Sequence, residues 1–269
     1  MNNIRGRFGQ TLVAIVTIVK EEFDAVKEIG GFEEHAGKSN CLYRSHFGDN
    51  NYDAILVKTA DRSNGPCQET ISRLVELFRP EYIILSGIGG GVEGRDGVSL
   101  GDVTVADHIQ YYEMRKLVDG SNNARWIPFD HPSVYLRDTV AARVINNETW
   151  IERIKVKRPV VGQPKIIVGN LIAGEKILGD KQNVYQSDIL NEFDKAIVVD
   201  MESYGLARGV YSARGARYYN LNYLVVRGIS DLVNQEHNDK TRTEWRDYAA
   251  SAAAAFTMET VDQIVDLCE

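Results

Sequence analysis

The chain has 269 residues, 43% of them hydrophobic and 26% charged, enough to bury the core of one large α/β domain or two small ones. Its formal charge of −7 argues against a nucleic-acid backbone or an anionic membrane surface as the main partner, though not against a small anion held by a few local cations. The three cysteines (Cys41, Cys67, Cys268) are far apart and form no disulfide framework, which indicates a reducing, cytoplasmic setting; the five histidines lack paired-ligand spacing, so no metal or other cofactor is expected.

The amino terminus, "MNNIRGRFGQ", is basic and precedes "TLVAIVTIV", a superficial likeness to a signal peptide. Nine apolar residues are too few to span a bilayer, and "KEEFDAVKEI" follows without a small-residue cleavage site. A buried strand near 12–19 is the expectation, after a flexible segment 1–10. A helix near 21–29, strands near 41–48 and 53–59, a helix near 67–78 and strands near 82–87 and 102–106 come next. The polar segment 115–132 reads as a surface insertion near the site. Beyond it lie a helix near 133–147, strands near 163–172 and 196–200, a helix near 203–213, a strand near 222–229 and a helix near 243–267. The last helix carries "YAASAAAAF", whose small side chains permit close packing on a sheet.

"VAIVTIV", "YIILSG" and "YLVVRGIS" are apolar throughout rather than alternating, as strands covered on both faces are. The fold class is therefore α/β, a three-layer α/β/α sandwich around a central mixed, largely parallel sheet. With no internal repeat and no low-complexity linker, residues 1–269 are expected to form one domain.

"SGIGGGVEGRDG" satisfies G-x-G-x-x-G at Gly89, Gly91 and Gly94, but it leads into a second strand rather than a helix, the wrong context for a dinucleotide. No GxxxxGK[ST] is present. The glycines either let a ligand approach the backbone or mark a crowded loop.

"VVDMESYG" at 198–205 ends a buried strand in Asp200 and Glu202, which either cap the next helix or hold a ligand. "TIVKEE", "LSGIGG" and "VVRGISD" have the same form, each an apolar strand delivering polar groups at its carboxyl end. Ligands of open α/β sheets bind beyond those ends, so Glu22, Glu202 and Asp231 are expected to meet over one pocket.

Together "AIVTIVKEEFDAV", "LSGIGGGV", "LGDVTVADHIQYYE", "GNLIAGEKIL", "VVDMESYGLA" and "VVRGISD" resemble the nucleoside phosphorylase/nucleosidase superfamily, especially its methylthioadenosine/S-adenosylhomocysteine nucleosidase branch. The resemblance implies that Met201 packs near base and sugar, that Glu202 accepts hydrogen bonds from ribose hydroxyls, that Asp231 supported by Ser230 protonates the purine leaving group, and that Glu22 activates water. It adds Ser86, Gly87, Gly89, Gly90, Ile177 and Leu178 as substrate-binding residues, and a homo-oligomer, dimer or hexamer. Breaking an N-glycosidic bond builds positive charge on the sugar and negative charge on the base, which suits a carboxylate at the first and an acid at the second.

The superfamily's hexameric phosphorylases hold phosphate with "GDPxR" and an Arg before the glycines, where this chain has "VKEEFD" and Leu85, so water is the expected nucleophile. Ile88 stands where the nucleosidase branch usually has Ser. Lys20, Arg115 and Lys116 are unexpected cations and candidate contacts for a 5′-phosphate. The expected substrate is a purine, above all adenine, nucleoside or nucleotide. A phosphorylase, or a catalytically quiet nucleoside-binding sensor in signalling or defence, is the alternative.

Overall fold

The computed structural model describes residues 11–34, 42–47, 52–215, 219–236 and 238–266; the expected flexible segment 1–10, Cys41 and Cys268 lie outside them. The strands are β1 (Thr11–Thr17), β2 (Glu33–Glu34), β3 (Leu42–Phe47), β4 (Tyr52–Lys58), β5 (Tyr82–Gly91), β6 (Val103–Tyr111), β7 (Arg115–Val118), β8 (Ser121–Ala124), β9 (Phe129–Asp130), β10 (Ile166–Ala173), β11 (Ala196–Asp200) and β12 (Asn222–Leu232). The helices are α1 (Lys20–Gly30), α2 (Asn64–Phe78), α3 (Ala142–Asn147), α4 (Val184–Glu192), α5 (Ser203–Ala213) and α6 (Asn238–Asp266). A π-helical stretch, Tyr135–Ala141, runs into α3, and a 3₁₀ turn at Thr149–Arg153 follows it.

The apolar strands are covered on both faces, as their composition requires. Val13, Ile15, Leu56, Ile84, Leu224 and Val226 pack with Val26 of α1, Val144 of α3 and the alanines of α6. Their neighbours Ala14, Val16, Ile55, Ile83, Leu85 and Val225 pack on the opposite side with Ile71 and Leu74 of α2 and Leu206 and Val210 of α5. This is the three-layer sandwich. The small residues of "YAASAAAAF" bring α6 so close to β12 that a Cβ on Gly228 would stand 2.0 Å from the Ala249 carbonyl oxygen.

The main sheet runs β11-β10-β6-β12-β5-β1-β4-β3-β2, with β9 on β6. Strands β4, β1, β5 and β12 are mutually parallel, β6 is antiparallel to β12, and β10 and β11 are parallel to β6 and to each other. The far end of β5 then meets β11 antiparallel, Val198 opposite Gly91 and Val199 opposite Gly90. Five strands thereby close on themselves, and the ends of β5, β11 and β12 are drawn to one place.

Two features depart from the sequence reading. The glycines after "YIIL" form no loop: β5 continues through Gly91, paired to β12 and β11. They are glycines because neighbouring side chains occupy the space, a Cβ on Gly90 falling 2.4 Å from Val233 Cγ1. Helix α4 was not expected; with Ile189, Leu190 and Phe193 it builds a small core against Ile172 and Val199 behind the site. Segment 115–132 contains a separate two-stranded hairpin, β7–β8.

Candidate active site

Asp200 answers one half of the question that the acidic strand end raises. Its Oδ1 accepts from the Ser203 hydroxyl at 2.7 Å and from the Ser203 backbone N–H at 3.2 Å, so it ties down the start of α5. Its Oδ2 accepts from Arg227 Nε at 2.9 Å and Nη2 at 2.7 Å. Arg227 lies on β12 and is 0% exposed. A guanidinium in that position is tolerable only with anions around it.

Glu202 is the other half. Two residues further on, its side chain enters a cavity of about 310 Å³ at the carboxyl ends of β1, β5, β11 and β12. It keeps one 3.3 Å contact with Arg227 Nη2 through Oε2, and its Oε1 accepts from the Ser63 backbone N–H at 3.1 Å. Burial, only partly offset by Arg227 and reinforced by Asp200, pushes its pKa up to about 7. Ser63 delivers that N–H from φ 97°, ψ 158°, a backbone region otherwise left to glycine. Asn64 fixes the loop: its Nδ2 donates to the Gly174 carbonyl at 3.0 Å and to Glu175 Oε1 at 2.9 Å, and its Oδ1 accepts from the Gly205 N–H at 2.8 Å.

Glu22 reaches the same cavity from the first turn of α1 and is 3% exposed. Its Oε2 accepts from the N–H groups of Ile18 (2.7 Å) and Val19 (3.1 Å), and its Oε1 from that of Ile88 (2.8 Å). Burial raises its pKa, while Arg227 and these three donors hold it back. Ile88, which has no hydroxyl to offer, serves Glu22 through its backbone. Gly87 lies between the two charges, and a Cβ there would stand 2.5 Å from both Glu22 Oε1 and Arg227 Nη1.

Asp231, 5% exposed, accepts from Ser230 Oγ at 2.6 Å, and burial raises its pKa. Three of the carboxylates on the cavity thus stand in three environments: Glu22 anchored by backbone amides, Glu202 beside an arginine already engaged by Asp200, and Asp231 held by a hydroxyl. Ile18, Val19, Ile88, Ile177, Leu178, Val199, Met201 and Val233 supply apolar wall.

A family model described as the phosphorylase superfamily matches residues 13–265. The chain belongs to that superfamily. It is 22% identical over 251 residues to the 5′-methylthioadenosine/S-adenosylhomocysteine nucleosidase of Staphylococcus epidermidis, covering 93% of this chain and 94% of that protein. It is 25% identical over 261 residues to the ATP nucleosidase Cap17 of Escherichia coli, covering 90% of this chain but only 49% of that protein. Among solved structures, the futalosine hydrolase of Helicobacter pylori superposes with a TM-score of 0.75 at 20% identity over 96% of this chain and 99% of the other. A methylthioadenosine/S-adenosylhomocysteine nucleosidase of Borrelia burgdorferi bound to adenine gives 0.74 at 18% identity, covering 93% of this chain and 99% of the other.

Of the residues expected at the site, the cavity brings together Glu22, Gly89, Gly90, Ile177, Leu178, Met201, Glu202, Ser230 and Asp231. Gly87 lies just behind it, and Ser86 points elsewhere, its Oγ accepting from Thr257 of α6 at 2.9 Å. The three candidate phosphate cations are not on the cavity. Lys20 pairs with Asp24 at the surface, because one residue of helix turns it about 100° from Glu21 and two residues turn it away from Glu22. Arg115 is held by Glu192 (2.7 Å) and Asn122 (2.8 Å), and Lys116 is exposed on the hairpin.

Sequence reasoning missed Arg227, although an arginine inside "YLVVRGI" signals buried anions nearby. It also missed Arg62, Lys176, Arg242 and Arg246, which line the cavity from three stretches, of which only the one holding Lys176, "GNLIAGEKIL", had been singled out.

Proposed function

We propose that the protein hydrolyses the N-glycosidic bond of a purine, above all adenine, nucleoside or nucleotide. The observation that carries this reading is the convergence of Glu22, Glu202 and Asp231, from three separate segments, on one cavity, each with different hydrogen-bond partners. The nucleosidase names of its relatives support it.

The chemistry divides among the three groups. Asp231, whose pKa burial raises, donates its proton to the purine as the C1′–N9 bond breaks and the electron pair goes to the base. Glu202 accepts hydrogen bonds from ribose hydroxyls and faces the oxocarbenium-like sugar. Glu22 takes a proton from the attacking water, whose oxygen bonds to C1′, giving free base and free sugar. The proton on Glu22 then returns to solvent and Asp231 is recharged from it. Arg227 is a positioning residue: it keeps Asp200 and Glu202 in place without reaching the substrate.

The test is incubation with a panel of purine nucleosides and nucleotides, with and without inorganic phosphate, followed by chromatography for released base and sugar. Base release independent of phosphate, yielding the free sugar, is expected. Release only with phosphate, yielding a sugar 1-phosphate, would make the protein a phosphorylase. Binding without release would make it a sensor.

A further inference from the structure

We infer that the mouth of this cavity is a subsite for a 5′-phosphate, so that the substrate is a 5′-phosphorylated purine nucleotide. The inference rests on the assignment of Glu202 to the sugar hydroxyls and Asp231 to the base. With C1′, C2′ and C3′ committed to the floor, the remaining carbon substituent of the ribose, C5′ on C4′, has to leave toward the mouth.

The floor and the mouth differ in sign. Glu22, Glu202, Asp231 and the Arg227-bound Asp200 are buried on the floor, whereas the more exposed Arg62, Lys176, Arg242 and Arg246 line the same cavity with Glu21 as the remaining acid. Arg62 adjoins Ser63, whose N–H holds Glu202, and so stands on the sugar side. Among the described residues its side chain forms no ion pair. Arg242 and Arg246 are four residues apart in α6 and therefore share one face of the helix. Arg246 bonds Glu21 at 2.9 Å, one residue from the water-activating Glu22.

The existing partners of these cations are weak competitors. Arg242 pairs with Asp239, whose side chain is 90% exposed, and the Arg246–Glu21 pair also reaches solvent. Exposed pairs of this kind contribute little and exchange readily for a better anion. Lys176 is the exception, held by both oxygens of Glu113 at 2.6 and 2.8 Å, so the arginines bear the proposal. A phosphate offers several strong acceptors to planar guanidinium donors, the pairing for which Arg is best suited.

The experiment compares kcat/KM for adenosine, methylthioadenosine, AMP, ADP and ATP in wild type, Arg62→Ala, Arg242→Ala and Lys116→Ala, at low and high salt. Wild type is expected to prefer at least one nucleotide over adenosine by about a hundredfold or more, and each arginine variant to cut that ratio about tenfold or more. Salt should erode the preference, and Lys116→Ala, on the remote hairpin, should leave it intact. Calorimetric titration of ATP and adenosine gives the same comparison without turnover. Base released from nucleosides as fast as from nucleotides, with no effect of the arginine variants, would overturn the phosphate subsite while leaving the hydrolase standing. Tight ATP binding lost in Arg62→Ala, with no base released from any compound, would keep the subsite and overturn the hydrolase.

Discussion

Arg227 gives two short hydrogen bonds to Asp200 and one longer one to Glu202, and that inequality separates two carboxylates only two residues apart. Asp200 becomes part of the frame; Glu202, incompletely compensated, is left with a raised pKa and free capacity for hydroxyl donors. Replacing Arg227 by Met fills similar volume but leaves both acids buried without a cation. It is expected to cost about 3–5 kcal/mol, the usual penalty for breaking a buried pair. Urea denaturation measures this, and a midpoint equal to wild type would show that the acids do not depend on the arginine. Asp231 is a different case, since the role proposed for it is to lose a proton rather than to hold a charge. Asp231→Asn preserves shape and most hydrogen bonding, so the fold and ligand affinity should persist while kcat falls by about 10²–10⁴-fold. Near-normal base release from this variant would remove Asp231 from the reaction.

At the scale of elements, close approach decides more than propensity. Gly228 on β12 is where the α6 backbone touches the sheet, whereas Gly65 in the first turn of α2 faces open space. Gly228→Ala should therefore fail to accumulate as folded protein, and Gly65→Ala should be neutral or gain up to about 1 kcal/mol. Thermal melts and soluble yield of the pair check this; equal behaviour would mean that α6 can back away from β12. The same contrast explains what the sequence could reveal. Uniformly apolar runs such as "VAIVTIV" announce two-faced strands directly, and the carboxylates at their ends announce a ligand site. The extension of β5 through Gly89, Gly90 and Gly91 is invisible to strand propensity, because glycine is a poor strand former and neighbouring strands supply the order. The cations were misassigned for a geometric reason. Adjacency in sequence placed Lys20 beside Glu22, but a helix sends consecutive side chains in different directions. Arg62 and Arg242, distant in sequence from the other site residues, reach the cavity through loop 59–63 and the start of α6.

The whole molecule carries an electrostatic cost for its cavity that pH should expose. Glu22, Glu202 and Asp231 all have folded pKa values raised by burial, so the folded state binds protons more tightly than the unfolded chain. Their contribution is complete below the ordinary carboxylate pKa and is lost as pH rises through the folded values, for Glu202 between 4.5 and about 7. His108, lowered by burial, acts in the opposite sense, so the informative quantity is a difference between variants. The Tm of wild type should fall relative to that of Glu202→Gln as pH goes from about 5 to about 8. Parallel Tm profiles would mean that Glu202 titrates alike in both states. The closed ring of five strands bears on the history of each molecule as well as its stability. Val198 and Gly91 pair across about a hundred residues of chain, and Arg227 and Asp231 arrive later still, on β12. A ribosome that has translated only as far as α5 displays Glu22, Asp200 and Glu202 without their arginine and without the acid. The emerging polypeptide therefore has no assembled cavity, and the candidate site is completed only when β12 seats.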